Sequence, residues 1–144
     1  MIRKLAVVAG LGLAVGGVAW VRRNWAVITV VGPSMEPTFH DGDRVFVRRQ
    51  RAVSSGDVVV VRRPSGEPGW PERPAGTEDG RRMIKRVAAV AGEPVPESVP
   101  MDDAVVPDGQ LVLLGDNLAA SFDSRMIGYV PTTFTYGRVV RRMG

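Results

Sequence analysis

Hydrophobic residues along this chain follow two different rhythms. From Leu5 to Val21, 17 residues run without a charged or strongly polar side chain. After Asn24 the apolar positions fall into short β-branched runs: Val27–Val31, Arg44–Arg48, Val58–Arg62, Met83–Val90, Leu111–Leu114 and Arg138–Arg141. Turn chemistry separates them, at Asp41-Gly42-Asp43, Ser54-Ser55-Gly56-Asp57, Asp108-Gly109 and Gly115-Asp116-Asn117. These residue types supply positive φ or bond their own backbone. No stretch beyond the first run repeats at 3.6 residues. The pattern predicts a mostly β fold, a single small β-barrel-like domain over residues 24–144 with about six short strands, preceded by one N-terminal helix.

As a helix rising ~1.5 Å per residue the first run is roughly 26 Å long, against a hydrocarbon core of ~30 Å. Trp20 and Trp25 stand where interfacial anchors are expected. Residues 1–23 therefore read as a transmembrane anchor, with Arg3, Lys4, Arg22 and Arg23 as basic flanks. A removed signal peptide has a shorter core of ~7–15 residues and a small-x-small cleavage site. Trp20-Val21-Arg22-Arg23 offers no such site, so the anchor is expected to stay. Basic pairs on both sides leave its orientation open. Gly12 and Gly16 form a GxxxG through which the anchor could pair as a homo- or hetero-dimer, although in so glycine-rich a run the motif discriminates poorly. Pro64 to Gly80, with four prolines, four glycines and a lone Trp70, is expected to be a long mobile loop whose Trp covers the barrel edge.

Composition narrows the chemistry. In 144 residues there is no Cys and one His, so a disulfide framework and a thiolate or His-rich metal centre are excluded. No cofactor or metal is expected. The formal charge is +4. It all resides in the basic flanks of the first run, because from Asn24 onward 15 basic residues balance 15 acidic ones. Without a net basic domain, nucleic acid is not an expected partner.

Three constellations carry candidate chemistry. Gly32-Pro33-Ser34-Met35-Glu36-Pro37-Thr38 follows the first strand. A Ser on a Gly/Pro turn at a strand's end exposes its hydroxyl and turns local N–H groups outward, which suits a nucleophile beside an oxyanion site. An ordinary Gly-Pro-Ser turn reads the same way. The second is Met83-Ile84-Lys85-Arg86-Val87. Strand alternation puts Met83, Lys85 and Val87 on one face. Lys85 is one of only two Lys beside 17 Arg. Arg stays charged, whereas a desolvated Lys can lose its proton. An unperturbed amine at ~10.4 is neutral about once in 2,500 molecules at pH 7, so a working base near ~7–8 requires ~4 kcal/mol of desolvation. The alternative is a Lys that snorkels from a barrel edge to water, and spacing does not choose. The third constellation, Gly115 to Arg125, packs Asp116, Asn117, Ser121, Asp123, Ser124 and Arg125 behind an apolar strand. It reads either as a polar loop braced by an Asp123–Arg125 pair or as the source of a hydroxyl that positions Lys85.

Taken in order, Gly-Pro-Ser34-Met35-Glu-Pro-Thr, Gly56-Asp57-Val58-Val59-Val60, Ile84-Lys85-Arg86-Val87 and Gly-Asp-Asn-x-x-x-Ser121-x-Asp123-Ser-Arg125 resemble the type I signal peptidase family. The compact members, among them mitochondrial inner-membrane protease subunits, are most similar. The blocks follow a membrane anchor and cover most of residues 24–144. The resemblance implies a membrane-bound serine endopeptidase that removes signal peptides from exported preproteins. Ser34 would be its nucleophile and Lys85 its general base. Ser121 would orient the amine, and Asp123 with Arg125 would brace the loop. The Ser34 N–H would form part of the oxyanion hole. Met35, Met83 and Ile84 would line a cleft that takes small residues at −1 and −3. It also implies a single-pass cell-membrane protein with its catalytic domain on the extracytoplasmic face. Gly32 stands where some members carry a second oxyanion-hole Ser, and the large inserted β domain of others is absent. His40 has no role in the matching block and reads as a surface turn residue. Two alternatives stay open: a maturation protease dedicated to one precursor, and a non-catalytic anchored β domain that binds partners.

Overall fold

The computed structural model describes residues 15–63 and 82–144. It opens in a helix, 15–24, that passes directly into the first strand. The strands are β1 (Trp25–Thr29), β2 (Arg44–Arg48), β3 (Val58–Arg62), β4 (Arg82–Val90), β5 (Gln110–Leu114), β6 (Val130–Pro131) and β7 (Thr135–Arg142). One four-residue helix, α1 (Ser124–Ile127), is capped by Asp123, whose carboxylate accepts the Arg125 N–H.

All seven strands join one antiparallel sheet in the order β1-β2-β7-β3-β4-β5-β6. β3 lies at its centre, which explains an unbroken Val58-Val59-Val60-Val61 run with every residue buried on one face or the other. Val58 and Val60 pack with Val45, Val47, Ile84 and Met35, while Val59 and Val61 pack with Val87, Leu111, Leu113 and Phe134. Register shifts interrupt the β2–β7, β3–β7 and β4–β5 ladders. Such bulges bend strands, and here the sheet curls until edge strand β1 and the start of β4 face each other across a cleft.

The mostly β expectation holds, and β2 and β3 have the boundaries expected of them. Other details differ. The sheet is a curled half-barrel with edges at β1 and β6, not a closed barrel. β1 starts two residues earlier than expected, and its ladder ends at Thr29↔Arg44. Beyond it Val30 still exchanges backbone bonds with Asp43 and Gly42, closing the loop that holds Ser34. β7 begins at Thr135 because it pairs on both sides, its first residue opposite Val61 of β3. β6 is two residues long, one of them Pro, and α1 is a single turn, so neither shows a periodic signal. Most of the expected anchor, and the expected loop from Pro64 to Gly80 with Trp70, lie outside the described residues. Among the described residues no helix is long and apolar enough to cross a membrane.

Candidate active site

Ser34 sits on the tight loop that joins β1 to β2. Gly32 turns the chain with a φ of 83° and donates its N–H to Asp41 Oδ1 at 2.7 Å. The turn continues through bonds from Glu36 N–H to the Pro33 carbonyl and from Phe39 N–H to the Met35 carbonyl. Met35 and Phe39 are thereby drawn into the core beneath, which fixes the loop from below. Ser34 is left half-buried at the cleft. Among the described residues its N–H donates to no acceptor.

Lys85 reaches the same point from the centre of the sheet. It pairs with Val59 of β3, and its strand neighbours Met83 and Val87 pack on the same face as Val59 and Val61. The side chain is 5 % exposed. Its Nζ donates to Ser34 Oγ at 2.9 Å. Burial pushes the Lys85 amine below its ordinary value, against an opposing pull from the Asp123 carboxylate. Desolvation penalises the charged form of an amine, so the geometry favours a lysine that can become a base.

The Gly115–Arg125 loop closes the site on the far side. Asp123 is fully buried. It accepts the Gly115 N–H at 3.0 Å and the Arg125 Nε and Nη2 at 2.9 and 3.1 Å. The Arg125 Nη2 also donates to the Leu118 carbonyl at 2.7 Å, so one guanidinium ties both ends of the loop. Burial raises the Asp123 carboxyl, but bonds from Arg125 and Gly115 and the nearby Ser121 hydroxyl outweigh it and hold it at about 2. The Asp123–Arg125 brace expected from sequence is therefore present as a geometry.

Ser121 and Met35 differ from expectation. The Ser121 Oγ is buried and meets hydrogen-bond geometry with no partner. Among the described residues no hydrogen bond joins Ser121 to Lys85, whose amine donates to Ser34. Ser121 instead packs directly over Gly115, where an added Cβ would stand 2.1 Å from its Oγ. Met35 is wholly buried beneath the turn and does not line the cleft. Its side chain serves as the anchor of the Ser34 loop. Met83 and Ile84 do line the cleft, a space of about 540 Å³ bounded by Val27–Val31 on one side and Arg82–Lys85 on the other. His40 is exposed and bonds through its N–H to Asp43. Among the described residues no group of His, Cys, Asp and Glu is arranged to hold a metal ion.

Several residues of the site had no role in the sequence reading. Asn117 donates its backbone N–H to the Ser34 carbonyl at 3.0 Å and its side-chain amide to the Pro33 carbonyl at 3.2 Å. Arg86 clasps Asp116 through Nε and Nη2 at 2.8 and 2.6 Å and reaches the Gly56 carbonyl. That guanidinium holds the Asp116 carboxyl below the usual carboxylate range. Asp116 accepts the Thr38 hydroxyl as well, so the loop of Ser34, strand β4 and the Gly115 loop are stitched into one unit. The only sequence signal was the density of turn residues after β5; the partners lie 30 to 84 positions away.

Comparison with known proteins gives this geometry a context. The profile described as "Signal peptidase, peptidase S26" matches residues 2–99 and 95–143. Mitochondrial inner membrane protease subunit 1 of Mus musculus is 32% identical over 121 residues, covering 78% of this chain and 66% of the mouse protein. The protein of that name from Schizosaccharomyces pombe is 32% identical over 120 residues, covering 78% of this chain and 69% of its own length. A probable signal peptidase I-1 of Synechocystis sp. is 28% identical over 134 residues, covering 76% of this chain and 66% of its own. The chain thus spans about two thirds of the length of these relatives, or slightly less. A match over nearly the whole chain, with Ser34 and Lys85 in contact inside it, means that this chain belongs to the signal peptidase family, peptidase S26.

Proposed function

We propose that this chain is a membrane-bound serine endopeptidase that removes signal peptides from exported preproteins, with Ser34 as nucleophile and Lys85 as general base. The observation that carries the reading is the 2.9 Å contact between Ser34 Oγ and the amine of Lys85, a residue 5 % exposed. The neutral amine takes the Ser34 proton as Oγ attacks the scissile carbonyl carbon. The resulting oxyanion accepts the uncommitted Ser34 N–H. Protonated Lys85 passes its proton to the leaving amine, and the same lysine then draws a proton from the water that releases the acyl group from Ser34. Ser121, with a buried hydroxyl beside the loop, positions the amine. Asp123 and Arg125 hold that loop in place.

The cleft suits an extended peptide. β1 is an edge strand with unpaired backbone groups, and β4 faces it, so a substrate strand can add along this edge. Met83 and Ile84 line the cleft beside Ser34, and the family resemblance assigns to that place the small side chains at −1 and −3. The names of relatives from inner membranes support a membrane location; an anchor over residues 1–23 supplies the means, and the family resemblance sets the domain on the extracytoplasmic face. The word "subunit" in those names supports a partner protein.

Cleavage of a precursor with an Ala-x-Ala site by the full chain in detergent tests the reading. The parent should cut after the second Ala. Ser34→Ala should be inactive with its melting temperature retained. Lys85→Arg should be almost as damaging, since it keeps the charge and loses the base. Activity retained in Ser34→Ala removes the nucleophile, and a mild Lys85→Arg removes the dyad. A folded parent that cuts neither this substrate nor the host's own exported precursors favours the anchored binding domain.

A further inference from the structure

Three guanidinium groups surround one tyrosine ring. The Cζ atoms of Arg49, Arg62 and Arg82 lie 5.1, 5.3 and 4.6 Å from the centre of the Tyr136 ring. The ring attracts each cation, yet it gathers three like charges within about one Debye length of ~10 Å, where they repel one another. Among the described residues, neither these three nor the neighbouring Arg51 meets a carboxylate. The ion pairs go to Arg86, Arg125, Arg138, Arg142 and His40. Stacking on a ring uses the flat face of a guanidinium and leaves the N–H donors along its edge unspent.

Those donors border a cavity. Arg49, Arg51 and Arg62, with Thr135 and Tyr136, line a space of about 240 Å³. Thr135 is 6 % exposed, and its hydroxyl is buried without a hydrogen-bond partner. A single carboxylate is satisfied by one bidentate arginine. Several arginines beside a spare hydroxyl match a group with more oxygens and more charge, which is the chemistry of phosphate.

The cavity also has a telling place in the fold. Arg49 donates its backbone N–H to the Asn24 carbonyl at 2.8 Å, where helix 15–24 passes into β1. That helix presents Val15, Val18, Trp20 and Val21 to the outside. A bilayer that received it would bring its headgroups to the level of Arg49. We propose that the Arg49–Arg51–Arg62–Thr135 pocket binds the phosphate of an anionic phospholipid headgroup and so holds the domain against the membrane surface. The lipid source rests on the anchored reading above; the phosphate site does not.

The test uses the full chain in a non-ionic detergent and follows thermal unfolding. It is titrated with dihexanoyl phosphatidylglycerol, dihexanoyl phosphatidylcholine and inorganic phosphate. A ligand bound only by the folded state raises Tm with concentration. Phosphatidylglycerol should raise it at concentrations where phosphatidylcholine does little. R49Q/R62Q should require at least about tenfold more of it, the scale of one charge-assisted hydrogen bond. Arg51→Gln leaves the Tyr136 contacts whole and should still raise the requirement severalfold. Arg82 is kept, because it also borders the cleft. No stabilisation of the parent, or equal stabilisation of the variants, overturns the site. Inorganic phosphate acting as well as the lipid keeps the phosphate pocket and overturns the lipid source. Since Tm is read without a protease substrate, the result stands apart from whether Ser34 cleaves anything.

Discussion

Gly115→Ala is a one-carbon test of the site's assembly. A Cβ at this position would stand 2.1 Å from the Ser121 Oγ, 2.5 Å from the Ser121 Cβ and 2.6 Å from the Ser34 carbonyl oxygen. Rotating the Ser121 hydroxyl relieves only the first of these. Ordinary contact begins near 3.4 Å, so the Ser34 carbonyl has to retreat by about 0.8 Å or the Gly115 loop has to move off it. Either movement strains the Asn117 N–H bond to that carbonyl and shifts the Ser34 Oγ from the Lys85 amine. A misplacement of ~1 Å in a reacting group costs up to ~10²-fold in rate. The expected loss in kcat is therefore roughly 30- to 100-fold, or about 2–3 kcal/mol of barrier. Overpacking of this kind costs ~1–3 kcal/mol of stability, visible as a Tm lowered by several degrees. KM should change little, because β1 and β4 still frame the cleft. Steady-state cleavage of a fluorogenic Ala-x-Ala peptide, with thermal melts alongside, separates the two effects. Adding Ser121→Ala to Gly115→Ala should restore only part of the rate. A Gly115→Ala protein with kcat within about twofold of the parent would refute the packing argument, and complete rescue by Ser121→Ala would confine the damage to one hydroxyl.

The other expectations concern titration. Lys85 has a folded-state pKa below its unfolded value, so across that interval the unfolded chain binds more protons and stability rises with pH. Lys85→Met lacks this penalty and should be more stable than the parent at neutral pH, with the gap closing as pH approaches ~10.4; urea unfolding at several pH values checks it, and a gap that widens with pH contradicts the burial argument. Asp123 runs the other way. Its carboxyl is held at about 2 against an ordinary 3.8, which is worth about 2 kcal/mol above pH ~4 and is lost as pH falls through 2. Asp123→Asn should remove that acid-dependent step from the unfolding profile. The same substitution removes the charge that raises the Lys85 pKa, so the ascending limb of kcat/KM should move to lower pH; a limb that stays in place would mean that another group is being titrated.

How far the sequence disclosed this protein depended on whether a residue's meaning was local. The Val58–Arg62 run was legible because turn residues bound it and four adjacent valines require burial on both faces. Lys85 stood out as one of two Lys beside 17 Arg, and alternation set it on a face with Met83 and Val87, the face that packs against Val59; spacing alone did not choose between a buried base and a snorkelling lysine. Ser34 and Lys85 are 51 positions apart. Their meeting depends on how far the sheet curls, which bulges decide and no periodicity announces; only the resemblance joined them beforehand. Met35 shows the opposite error. A residue beside a nucleophile was assigned to substrate, whereas a tight turn needs something to hold it down, and the apolar neighbour does that. Asn117, Asp116 and Arg86 stood inside the candidate constellations without a role, because a polar residue's role is not set until its distant partner is known.

Charge misled in a similar way. Residues 24–144 balance 15 basic against 15 acidic groups, and that neutrality was read only as an argument against nucleic acid. A sum over a domain says nothing of its distribution. Arg49, Arg62 and Arg82 sit just beyond β2, at the end of β3 and at the start of β4, and the sheet brings them to one tyrosine from β7. The ion pairs among the described residues are made by Arg86, Arg125, Arg138, Arg142 and His40. A neutral domain thus carries a local concentration of positive charge at the foot of an apolar helix. At an anionic bilayer each arginine near the surface is worth about 1 kcal/mol, enough for a few of them to set the orientation of the domain and hence the height of Ser34 above the membrane.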